Sequence, residues 1–158
     1  MYVNELVLRL SSRNDAHPAA FAAYTDCLAR LADAGDIAWT LRRFERDLLA
    51  DLGYALMLTH TTAGEPIDPD VAYAYIGDAG PVAWRDDCGF ARIAGSALLA
   101  LDRDEPPAAP DLADLRRLMR SIIGDLVGGP LNAWGLSSRR IVDTIDHTRK
   151  ADTPADFV

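Results

Sequence analysis

The chain has 158 residues, 49% of them hydrophobic and 25% charged, the mixture of an ordinary globular domain. That composition excludes a disordered chain, a collagen-like repeat and a disulfide-dense miniprotein, and at this length folding buries roughly 70% of the surface of the unfolded chain, so no metal staple is required for size. Twenty-four acidic residues outweigh 16 basic ones, and the net charge of -8 repels phosphate, which argues against a freestanding nucleic-acid binder.

Val3, Leu6, Val7 and Leu10 recur at spacings of three and four and predict a first helix from Tyr2 to Leu10. His17-Pro18 opens a second, with Phe21, Tyr24, Leu28 and Leu31 as its buried stripe and Gly35 as a left-handed cap. A third runs from Ile37 to Leu52, with Leu41, Phe44, Leu48 and Leu52 on one side and Gly53 as its stop. The pattern then changes. Leu56 to Thr59 reads as a strand, Thr61 to Pro69 as a loop, and Val71 to Ile76 with Val82 to Trp84 as a hairpin around Gly77-Asp78-Ala79-Gly80.

Helical periodicity returns from Gly95 to Leu101, followed by a stiff proline-rich connector. Asp111 is the expected cap of the next helix, with Leu112, Leu115, Leu118, Met119, Ile122 and Ile123 inward and Arg116, Arg117 and Arg120 outward. Gly128-Gly129-Pro130 ends it, and a last helix begins at Ser137 or Ser138 and carries Ile141 and Ile145. The expected fold is therefore mainly α, a helical bundle with a small β-hairpin insert over about 55–88, forming one domain over 1–158 with a frayed tail over about 151–158.

Cys27 falls among apolar helical positions and reads as a buried free thiol, in keeping with a reducing cytoplasm. No run of eighteen apolar residues exists, and the N-terminus lacks a basic leader and a cleavage site, so a cytoplasmic protein is expected.

Catalytic chemistry finds little support. His17, His60 and His147 fall in three separate segments, and no glycine-rich phosphate loop or nucleophile elbow is present. Asp68, Asp70 and His60 could serve a small metal-dependent hydrolase, because a hard cation wants several oxygen donors; a purely structural helical module is the other alternative. The third helix is more informative. Arg43 and Asp47 can neutralise each other at a spacing of four, which leaves Arg42 and Arg46 with spare positive charge beside Leu41 and Phe44. Such a ledge suits an anionic, hydrophobic peptide end, with guanidinium on carboxylate and an apolar groove for the side chain.

Tyr2-Val-Asn-Glu-Leu6, His17-Pro18 with Phe21 and Tyr24, Leu41-Arg-Arg-Phe-Glu45 leading to Leu52-Gly-Tyr54, Gly64-Glu-Pro66 and Leu126-Val-Gly-Gly-Pro-Leu131 follow one another in an order and spacing that resembles the helical C-terminal domain of the bacterial recombination mediator RecO. The resemblance covers about Tyr2 to Val142. It implies a non-enzymatic protein of RecF-pathway DNA repair and recombination that binds the acidic, phenylalanine-ended tail of single-stranded DNA-binding protein, associates with RecR, anneals strands and helps load RecA. It also implies that Arg42 is the tail-binding arginine, with Arg46, Leu41, Phe44, Leu6 and Leu10 around it, and that the protein works at the nucleoid.

Three features depart from that family. Its members normally begin with an OB-fold domain, and this chain starts where that domain would end. Some relatives hold zinc with four cysteines in the strand insert; the matching positions here fall at Thr61 and Gly64 and near Ala83 and Asp86, so no metal or cofactor is expected and the insert reads as a zinc-ribbon-like element that has lost its ligands. The block after the double glycine reads Asn132-Ala-Trp134 where basic residues are usual, so only weak DNA contact is expected, through Arg116, Arg117, Arg120, Arg139 and Arg140.

Overall fold

A computed structural model describes residues 2–10, 18–33, 35–77, 79–86 and 90–127. Among these described residues five helices and three strands follow in the order α1 (Tyr2–Leu10), α2 (Pro18–Ala32), α3 (Ile37–Asp51), β1 (Ala72–Ile76), β2 (Gly80–Ala83), β3 (Arg92–Ala94), α4 (Gly95–Arg103) and α5 (Ala109–Leu126). The mostly helical architecture with a small antiparallel sheet is the one the periodicity predicts.

Helix α3 is the axis. Asp36 caps it by accepting a hydrogen bond from the Trp39 amide at 3.1 Å, and Gly53, at φ +88°, gives the chain the left-handed turn that ends it. Apolar residues on most of its circumference, Ile37, Trp39, Leu41, Phe44, Leu48 and Leu49, are buried, so other helices surround it. Helix α2 packs along one side and α5 along another, while α5 also contacts α4 and β3. Leu115, Met119 and Ile123 of α5 are fully enclosed, as the three-and-four spacing requires.

The sheet corrects the expected hairpin. It has three strands in the order β2-β1-β3, both pairings antiparallel, with Tyr73 opposite Ala83 on one side and Ile93 on the other. The third strand lies beyond residue 88, where three residues are too few to show a period. Leu56 to Thr59 is not a strand. It is held instead by the Tyr75 hydroxyl, which accepts a hydrogen bond from the Met57 amide at 2.9 Å, and by a single bridge between His60 and Pro66. The loop leading into β1 passes the start of α4 so closely that a Cβ on Gly95 would fall 2.0 Å from the Asp68 carbonyl oxygen.

Three caps and stripes also differ. Gly35 does not take positive φ. Phe21 is 69% exposed, because α2 turns Ala20 and Cys27 toward the core instead. Helix α5 begins at Ala109, two residues before Asp111, and that carboxylate accepts a hydrogen bond from the Ser96 hydroxyl at 2.7 Å, tying α5 to α4. Cys27 is a buried free thiol whose pKa burial pushes up to about 11. The expected last helix, with Arg139 and Arg140, and the tail lie outside the described residues, as do His17, His147 and Cys88.

Candidate functional site

Two helical stripes that contain small residues face each other where α3 passes α5. Ala38, Leu41 and Arg42 follow the helical spacing on α3; Ala109, Leu112, Ala113 and Arg116 do so on α5. Alanine leaves space between helices that a leucine would fill. The result is a groove of about 200 Å³, apolar along its floor, with an arginine contributed by each helix. Sites that enclose a whole small ligand usually run to roughly 300–1,000 Å³, so this one has room for a single anchoring side chain.

Arg42 is 3% exposed. The expectation that it is unpaired fails. Its Nη2 donates to Glu45 Oε1 at 2.6 Å, and the Tyr2 hydroxyl, 43 residues away on α1, donates to the same carboxylate oxygen. The physical reason is helical geometry: residues three apart share a face, and Glu45, at 1% exposure, has no water to satisfy it. Burial raises the Glu45 carboxyl above its ordinary value, opposed by Arg42, by the Tyr2 hydrogen bond and by Arg116. Burial, and then the charge of Glu45, raise the Tyr2 phenol far above its own. The pairing leaves gaps: Arg42 Nε and Glu45 Oε2 are buried without a hydrogen-bond partner among the described residues, and an unsatisfied buried polar atom costs stability.

The other expected ledge residues do not line the groove. Arg43 does not pair with Asp47; it makes a two-pronged contact with Asp104, 2.5 Å on each prong. Arg46 donates to Asp47 at 2.7 Å, to the Leu101 carbonyl at 2.6 Å and to Asp104 at 3.2 Å. Burial alone would lower the pKa of Arg46; its bonds to Asp47 and Asp104 overcome that and raise it. Both arginines therefore clamp α3 to the end of α4, and Arg46 has no spare charge of the kind its spacing from Arg42 suggests. Phe44 and Leu6 are core residues at 2% exposure, and Leu10 packs against that core. Of the apolar walls proposed from sequence, Leu41 alone faces the groove.

Of the arginines expected to touch DNA, Arg116 lines the groove, Arg117 pairs with Asp114 one helical turn away, and Arg120 lies near enough to Tyr2 to act on its phenol. The hydrolase residues do not assemble: Asp68 accepts from the Asp70 amide, His60 bonds to Thr59, and among the described residues no group of three potential metal ligands occurs. Thr61, at one of the positions where zinc-holding relatives have cysteine, is buried and accepts from the Glu65 amide at 3.2 Å. A larger hollow of about 560 Å³ lies near the other end of α5, but its one charged lining residue is Asp125, which repels an acidic ligand.

Sequence reasoning missed Ala38, Ala109, Leu112 and Ala113. Their signal was present as small residues at helical spacing on two helices, but only the fold says that those helices face each other. The Tyr2 contact has no sequence signal.

The family model described as "Recombination protein O C terminal" matches residues 1–134. The DNA repair protein RecO of Stenotrophomonas maltophilia is 45% identical over 137 residues, covering 84% of this chain and 57% of that protein. Those of Xanthomonas oryzae and Aromatoleum aromaticum are 42% and 41% identical, covering 84% and 89% of this chain. The chain thus spans under three fifths of the length of these relatives, 58% in both latter cases.

Proposed function

Because this chain belongs to the RecO C-terminal family, we propose that it is the partner-docking domain of a DNA repair and recombination mediator of the RecF pathway. Its groove between α3 and α5 takes the acidic, phenylalanine-ended tail of single-stranded DNA-binding protein. The terminal ring lies on Leu41, Leu112 and the alanines, and the carboxylate meets Arg42, with Arg116 adding a second positive charge. RecR association, strand annealing and RecA loading at the nucleoid belong to the same reading. The domain's own contribution to DNA binding is weak, consistent with its net charge.

The observation that carries this reading is an apolar groove sized for one side chain whose lining includes Arg42 beside Leu41 and Leu112. Titration of the chain with an acidic peptide ending in phenylalanine should saturate at one site, and Arg42→Ala should weaken it by about 1.5–3 kcal/mol, the scale of a charged hydrogen bond. Affinity unchanged by that substitution overturns the role of Arg42. No helix among the described residues is long and apolar enough to cross a membrane.

A further inference from the structure

Arg42 is the wall of a groove and also one member of a buried network, and the network has a chemical consequence for whatever binds. Glu45 Oε1 accepts from two donors at once, Arg42 Nη2 at 2.6 Å and the Tyr2 hydroxyl. Among the described residues its second oxygen, Oε2, has no partner, and neither has Arg42 Nε. The guanidinium is thus fixed from one side by an anion of the protein, while the donor left over has no acceptor. An incoming carboxylate would meet a cation whose charge Glu45 already balances, in a medium where two carboxylates near one guanidinium repel strongly.

We propose that Tyr2 and Glu45 are positioning residues that hold Arg42 for an anionic partner end, and that docking of this end is accompanied by uptake of one proton from solvent onto Glu45. The inference rests on the docking reading above and adds to it the residues that orient the arginine and the proton that accompanies binding. Protonation removes the competing charge and lets the ligand take over the balance of Arg42. It also gives Oε2 a hydrogen to donate.

The groups that act on Glu45 come from each helix packed around it. These are the Tyr2 hydroxyl of α1, Arg42 beside it on α3, and Arg116 of α5; Cys27 of α2 feels its charge, and Arg120 of α5 acts on Tyr2. Burial already raises the carboxyl above its ordinary value in the free protein, so the added charge of a ligand works in the direction the site is already biased.

Calorimetric titration of the 158-residue chain with an N-acetylated acidic peptide ending in phenylalanine, in PIPES and in Tris at one pH, reads proton uptake directly from the difference in heat. Uptake is expected in the wild type and none in Glu45→Gln, whose amide oxygen still accepts from Arg42 and Tyr2. Wild-type affinity should fall with rising pH, toward the tenfold per pH unit of one full proton, while that of Glu45→Gln stays flat. Tyr2→Phe removes a hydrogen bond that holds Glu45 ionised, so it should take up less proton on binding than the wild type and show a shallower fall of affinity with pH. Binding by the wild type without proton uptake overturns the inference and needs no variant to read. A peptide that binds, is weakened by Arg42→Ala and is indifferent to Tyr2→Phe and Glu45→Gln leaves the docking reading standing and overturns this one. Absence of peptide binding by the wild type overturns both.

Discussion

Two faces of α3 carry arginine, and they use it in opposite ways. On one, Arg43 and Arg46 reach across to Asp104, a partly exposed residue in the left-handed conformation at the end of α4. Water shares that contact and screens it, so the clamp is mechanical and cheap. On the other, one residue round the helix, Arg42 and Glu45 form an ion pair from which water is excluded. Desolvating two charges costs about what their attraction returns, so stability alone does not explain a buried pair. The difference teaches where to look for function: the exposed clamp explains itself as structure, and the buried pair, with one donor and one acceptor unused, does not.

The comparison can be broken by removing the acid that each face pairs with. Glu45→Ala leaves Arg42 as an uncompensated buried charge and should destabilise the domain by about 3–5 kcal/mol in urea unfolding. A loss below 1 kcal/mol would mean that water reaches Arg42 after all.

Tyr2→Phe removes a hydrogen bond to a buried carboxylate and should cost about 1.5–3 kcal/mol. It also sharpens the comparison at alkaline pH. The native phenol is raised above its ordinary value of 10.0, so the folded state keeps a proton that the unfolded state releases. Its contribution is complete below about pH 10 and is lost as pH climbs above it. The wild type should therefore lose stability above pH 10 more steeply than Tyr2→Phe, as thermal melts at pH 9, 10 and 11 would show.

On the exposed face, Asp104→Ala should cost only about 1 kcal/mol, since it breaks partly solvated pairs. Asp104→Gly should cost less than the alanine variant, because glycine adopts φ of 59° without the roughly 1 kcal/mol penalty of a side chain there. Equal losses in Asp104→Ala and Glu45→Ala would erase the distinction between the two faces.

Much of the fold was legible because long helices repeat their signal. The spacing of Val3, Leu6 and Leu10, of Leu41, Phe44 and Leu48, and of Leu115, Met119 and Ile122 locates α1, α3 and α5 directly. Arg92–Ala94 is too short to carry a period, and Leu56 to Thr59 has strand-like residues but no neighbouring strand to pair with. The site was half legible. Arg42 and Leu41 could be singled out from charge beside an apolar stripe, whereas the pairing of Arg42 depended on choosing a spacing of three to Glu45 over a spacing of four to Arg46. Phe44 and Leu6 misled because the stripe that marks a helix face does not say whether a groove or a core lies against it.

The central claim is that an anionic, ring-bearing chain end occupies the groove between α3 and α5. The most direct measurement is an NMR titration of the labelled chain with the acidic phenylalanine-ended peptide, following the Arg42 Nε–H signal and the methyl groups of Ala38, Ala109 and Ala113. The account predicts that all four move together and saturate at one equivalent. Saturable shifts confined to other surfaces, with these four unmoved, would contradict it.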